Sequence, residues 1–205
     1  MTEAIEYKRI SVREEAAVQI INKIKNFSGD QFYVMDDALS YLRGIAGHYA
    51  FGAYKNDELV AVIFGRLLDH TELSYYRRFV SDFLLDDLLE DFFNKKGGAI
   101  NVFVVDPEYI ENVEENDFRE IIAELAKMLM DTLSQTAEVV FVDLTVNDDN
   151  ILYKTWLNIL VESNFKEFGI IDDFWKDYSE NREEAVCPKC GDVCHCQAHI
   201  LYKRV

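Results

Sequence analysis

The hydrophobic period of this chain switches between strand and helix again and again after residue 97, and this alternation restricts the fold more than any other feature. Gly97-Gly98 introduces an apolar run, Ile100-Asn-Val-Phe-Val-Val105, which Asp106-Pro107 stops. A short β-branched run ended by Pro predicts a buried strand. Phe118, Ile121, Ile122, Leu125, Met128, Leu129 and Leu133 then recur at i, i+3, i+4, i+7 spacing, one face of a helix. A strand over 139–144, a helix over about 148–162, a strand over 166–171 and a last strand over 198–205 complete the pattern. Strands fed by helical crossovers need a sheet covered on both faces.

The first half reads differently. Ala16, Ile20, Ile21, Ile24 and Phe27 form one stripe, predicting a helix over 13–27 that Asn26-Phe-Ser-Gly29 ends. A short helix over 37–45 opens behind Asp36 and closes before Gly47. Strands over 49–54 and 58–68 are joined by Lys55-Asn-Asp57, a hairpin turn. The expected order is β-α-α-β-β-(insert)-β-α-β-α-β-β. This is α/β: a mixed central sheet flanked by helices on both faces, in a single domain over 1–205. The insert, 71–97, carries Leu73, Tyr76, Phe79, Phe83 and Leu84 at helical spacing, with Leu85, Leu89 and Phe93 widening the stripe. Such a face is expected to pack on the sheet, to lid a substrate site, or to form a homodimer or partner surface over 71–93.

Charge limits the partners. With 38 acidic against 21 basic residues the formal charge is −17, which repels nucleic acid and anionic membranes. A cationic small molecule or a basic protein surface fits that field, although acidity also serves solubility alone. No apolar run approaches the roughly 20 residues of a spanning helix, and the polar start Met1-Thr-Glu-Ala is not a secretory signal. A cytoplasmic setting is the expectation.

All four cysteines fall in one window, Cys187-Pro-Lys-Cys190-Gly-Asp-Val-Cys194-His195-Cys196, with His199 three residues on. Thiolates at C-x-x-C spacing before Gly converge on one point, as tetrahedral Zn2+ requires. The expectation is a structural zinc loop over 183–199, held by Cys187, Cys190, Cys194 and Cys196 or with His199 or His195 replacing a later cysteine. This spacing fits a reducing compartment better than a disulfide framework.

The element order resembles the GNAT-type N-acetyltransferase superfamily. Val104-Val-Asp-Pro-Glu-Tyr109 is similar to the strand-to-loop step before that family's cofactor loop. Asp143-Leu-Thr-Val146 with Asn150 is similar to its L-x-V-x-x-x-N step, and Asn164-Phe165 stands where the family writes Gly-Phe. The resemblance spans about residues 1–175 and the last strand. It implies transfer of an acetyl group from acetyl-CoA to an amine, with the cofactor along Val104, Val105, Asn112, Asn116, Phe118 and Asn150. Tyr153 becomes the candidate acid for the leaving thiolate, and Glu72 and Asp106 are candidate bases by position.

The chain departs from the pattern twice. The family's glycine-rich loop is here Tyr109-Ile-Glu-Asn-Val-Glu-Glu-Asn-Asp-Phe118, without glycine, and 106–120 holds seven acidic residues and one basic one. The helix position where the family carries its phenol holds Leu157, with Tyr153 one turn away. These departures open a second reading, a catalytically inactive GNAT-like acidic protein that engages a basic protein surface.

Overall fold

The computed structural model describes residues 4–28, 38–69, 71–73, 95–145, 151–173 and 196–205. The elements are β1 (Glu6–Arg9), α1 (Glu14–Ser28), α2 (Ala38–Leu42), β2 (His48–Lys55), β3 (Glu58–Leu68) and β4 (Gly97–Val105). They continue with α3 (Pro107–Asn112), α4 (Glu115–Leu133), β5 (Val139–Thr145), α5 (Ile151–Glu162), β6 (Lys166–Ile171) and β7 (Ala198–Arg204). The strand order is β1-β2-β3-β4-β5-β7-β6. The fold is the expected mixed α/β type, and the chain divides into two compact units, 1–67 with 100–136 and 68–99 with 137–205.

In the first unit β2 and β3 pair antiparallel, with Lys55 opposite Glu58. The two residues between them, Asn56 and Asp57, have φ of 52° and 64°. A two-residue turn with both φ positive matches the twist of the strands, and Asn and Asp tolerate it. Alternation along the strands separates two buried faces. Ala50, Val62 and Phe64 pack with Ala17 and Ile24 of α1 and Tyr41 and Leu42 of α2. The alternate residues Phe51, Ala53, Ala61 and Ile63 are equally buried, and α4 lies across β2. Its stripe from Phe118 to Leu133 is buried as the spacing predicts, apart from Met128, which is half-buried.

In the second unit β7 pairs antiparallel with both β5 and β6. Ala198, Ile200 and Tyr202 share a core with Val139, Phe141, Phe168 and Leu73. Phe168 reaches it because the register slips between Glu167 and Gly169, a bulge that turns one extra side chain inward. The strand β4 begins at Gly97, three residues before the apolar run. A Cβ at Gly97 would collide with Leu73, so the glycine admits the start of the inserted segment against the strand. Gln197 Nε2 donates to Asp172 Oδ1 at 2.7 Å, tying the end of β6 to the start of β7.

Cys187, Cys190, Cys194, His195 and Asn150 lie outside the described residues, as do His70 and the insert from 74 to 94. Among the described residues, no group of three or more His, Cys, Asp or Glu is placed to hold a metal. Among them too, no helix is long and apolar enough to cross a membrane.

Candidate active site

The strand-to-helix step after β4 holds most of the residues expected to meet a cofactor. Val104 and Val105 are buried at the end of β4, and the next amide, Asp106 N, donates to Val60 O at 2.8 Å. Asp106 then turns the chain into a helix that the sequence pattern did not announce. Its Oδ1 accepts from Glu108 N at 3.0 Å, Pro107 occupies the first turn, and Pro needs no amide partner there. The candidate base Asp106 thus serves as an N-cap. The short α3 ends at Asn112, whose Nδ2 donates back to Glu108 O at 2.6 Å.

An extended Val113 separates α3 from α4, with φ −118° and ψ 155°. Glu114 caps α4 in the extended conformation, and its side chain makes no capping hydrogen bond. The first amides of α4 therefore have no intrahelical acceptor and no cap from the Glu114 side chain. Phe118, 2% exposed, locks the first turn onto the core, while Asn116 is exposed. Glu115 and Asp117 add carboxylates to that turn. They favour the helix dipole and oppose any anion brought to the same amides.

The flank of this step is unusual electrically. Tyr7 of β1 is pushed up to about 12, by burial first and then by Glu120, Glu124 and Tyr109. Tyr109 is raised by burial and by Asp117, and Lys55 Nζ stands 5.5 Å from its ring centroid. Lys55 is thus a cation held against α3.

In the second unit the two candidate catalytic residues are engaged otherwise. Glu72 Oε2 accepts from Asp69 N at 2.9 Å, and Asp69 Oδ1 accepts from Glu72 N at 2.8 Å. This reciprocal pair is a capping box at the start of a helical turn over residues 71–73. Tyr153 is buried on α5, and its hydroxyl lies 3.4 Å from Nδ1 of His199 on β7. Two residues expected in different roles, a proton donor and a zinc ligand, are therefore neighbours. Cys196 is buried just before β7.

A further polar group, which the sequence reading passed over, lies on the α1–α2 side of the first unit. Tyr41 OH donates to Asn101 Oδ1 at 3.1 Å. Its ring meets His48 edge-on, with centroids 4.9 Å apart. The available signal was Asn101 itself, a lone amide in an apolar strand where Asn is disfavoured.

No protein-family model matches the sequence, and no curated protein matches it. The fold, by contrast, is shared with solved N-acetyltransferases. One is Arabidopsis thaliana NAA60 in complex with acetyl-CoA, at 10% identity and TM-score 0.62, covering 98% of this chain and 99% of that one. Another is an acetyltransferase of the GNAT family from Streptococcus pneumoniae, at 8% identity and TM-score 0.59, covering 98% and 100%. A third is an N-acetyltransferase from Staphylococcus aureus Mu50, at 14% identity and TM-score 0.55, covering 98% and 97%. At these identities the likeness concerns the fold.

Proposed function

We propose that this protein is an acetyl-CoA-dependent N-acetyltransferase acting on a small-molecule amine. The observation that carries the reading is the N-terminus of α4, where Glu114 leaves the first-turn amides without a side-chain cap. Such amides, aligned with the helix dipole, suit a pyrophosphate. Arabidopsis thaliana NAA60, which shares the fold, is described in complex with acetyl-CoA. The donor set fits the cofactor. The carboxylates of Glu114, Glu115 and Asp117 stand against it and set a weak affinity rather than forbidding the site. When bound, acetyl-CoA supplies an activated acyl group. The chain supplies the α4 amides for its phosphates, with Val104 and Val105 as the strand beside it and Asn112, Asn116, Phe118 and Asn150 along its path. Tyr153, held by His199, remains the candidate acid and Glu72 the candidate base.

Calorimetric titration with acetyl-CoA at moderate salt tests the reading. A dissociation constant in the micromolar range supports it, and no heat up to millimolar cofactor sinks it.

A second reading is favoured by one observation. Glu108, Glu111, Glu114, Glu115 and Asp117 are all exposed on α3, on α4 and at the step between them, a ridge suited to a basic protein surface. Charge reversal along this ridge abolishes salt-sensitive association with a basic protein if the second reading holds, and tightens acetyl-CoA binding if the first does. For the cysteine window we propose one structural Zn2+, held by Cys187, Cys190, Cys194 and Cys196, or with His199 in place of a later cysteine.

A further inference from the structure

The hydrogen bonds that shape α3 are local. Glu108 N donates to Asp106 Oδ1 at 3.0 Å, Ile110 N to Asp106 O at 3.1 Å, and Asn112 Nδ2 to Glu108 O at 2.6 Å. The helix spans six residues, and none of them is buried. Isolated helices shorter than about 12 residues are marginal in water, because the first turn orders several residues for one backbone bond. Helices in proteins escape that limit by burying an apolar face, and α3 has no fully buried side chain to offer. Tyr109 ties it to β2, with Lys55 Nζ 5.5 Å from the ring centroid. A cation beside a half-exposed ring is a weak tie.

The ends of α3 are set apart from its neighbours. Asp106, which leaves β4, and Val113, which leads to α4, are both extended, with ψ of 119° and 155°. α3 is therefore not continuous with α4. Phe118 holds the first turn of α4 on the core by its own burial, at 2% exposure. While α3 is formed, its last amides turn inward to carbonyls four residues back, as Ile110 N does to Asp106 O. Unwinding returns them to the bend between β4 and α4. Successive amides free at a bend make a concave anion site. Helix and anion thus compete for the same donors.

We propose that α3 is a latch on the cofactor site: formed, it keeps the amides of residues 110–112 to itself, and it unwinds as the phosphates of acetyl-CoA are taken up. The proposal rests on the reading that the start of α4 receives those phosphates. The apparent dissociation constant is then the intrinsic one divided by the fraction of chains with α3 unwound. Loosening α3 tightens binding, the reverse of what weakening a merely structural turn beside the site would do.

Two measurements test it. In the first, backbone carbon shifts of the full chain are followed by NMR as acetyl-CoA is added. Helical shifts over residues 108–112 that collapse toward coil values at saturation, while those over 118–133 persist, support the latch. Helical shifts over 108–112 that survive saturation overturn it. In the second, calorimetry compares acetyl-CoA binding by E111P and E111Q. Both variants remove the same charge, but Pro inside α3 also removes an amide and clashes with the preceding turn. E111P is expected to bind about tenfold more tightly than E111Q, with the melting temperature little changed because α3 buries no side chain. Equal or weaker binding by E111P overturns the latch and leaves the transferase reading standing, since the cofactor still binds. Binding by E111P where the unaltered chain gives no heat supports the latch. No binding by either chain removes the transferase reading and the latch with it.

Discussion

Asn164 shows how a single residue can depart from a family pattern and still do its physical work. It has φ of 65°, donates to Val161 O at 3.0 Å, and is followed by Phe165, which donates to Leu160 O at 3.0 Å. These two bonds are a Schellman closure of α5, with the left-handed residue in the place where glycine is usual. Asn is the other residue that visits this conformation at low cost. Replacing Asn164 with Ala is expected to lower stability by about 1 kcal/mol, and with Gly to leave it nearly unchanged; urea denaturation reads both. Tyr7 makes a second prediction. It keeps its proton to about pH 12 in the folded chain, against 10.0 for its ordinary value. Its contribution to stability is therefore whole below the unfolded value and lost as pH climbs from there toward the folded one. Denaturation midpoints should fall across that window, and the fall should shrink in Y7F.

At the scale of elements, the decisive feature is α3. The acetyl-CoA site proposed above would need backbone amides exposed over a bend, yet here Asp106 and Pro107 start a helix that consumes part of that bend. What remains for an anion is the start of α4. Its carboxylates pull in two directions, stabilising the helix and repelling phosphate. The triple change E114Q/E115Q/D117N is expected to tighten acetyl-CoA binding by about tenfold, an interaction gain of roughly 1.4 kcal/mol. The same change should lower the melting temperature by a few degrees, since each first-turn charge is worth about 0.3–1 kcal/mol to the helix. Calorimetry and thermal melting follow the two effects separately.

The whole molecule adds a field. A chain of formal charge −17 repels an anionic cofactor at long range. Raising salt from about 0.01 M to about 0.15 M shrinks the screening length from about 30 Å to about 8 Å. Acetyl-CoA affinity is therefore expected to rise over that range, the reverse of the usual dependence for phosphate held by basic side chains; calorimetry at both ends checks it. The proposed zinc site makes its own prediction at this scale. Elemental analysis should find one Zn2+ per chain, and a chelator should lower the melting temperature, because binding energy at a structural site is folding energy.

The sequence by itself determined the element order and the two faces of most elements. Helix and strand periods arise from local geometry, so α4 from Phe118 to Leu133 and the hairpin at Asn56-Asp57 were legible in spacing and turn chemistry alone. The Asp106-Pro107 pair was read as a strand stop, and it is one; that it also starts α3 depends on a cap bond from Asp106 to Glu108 that competes with loop. Roles were less legible than elements. Glu72 stood out by position as a base, and Asp69 draws it into a capping box. His48 and Asn101 carry no role that spacing alone could assign. They became neighbours of Tyr41 only through pairing of residues up to 60 positions apart. Such meetings depend on strand register and on the seating of α2, which no local pattern encodes. The tertiary structure alone decided them, because side-chain contacts across strands are set by packing rather than by propensity.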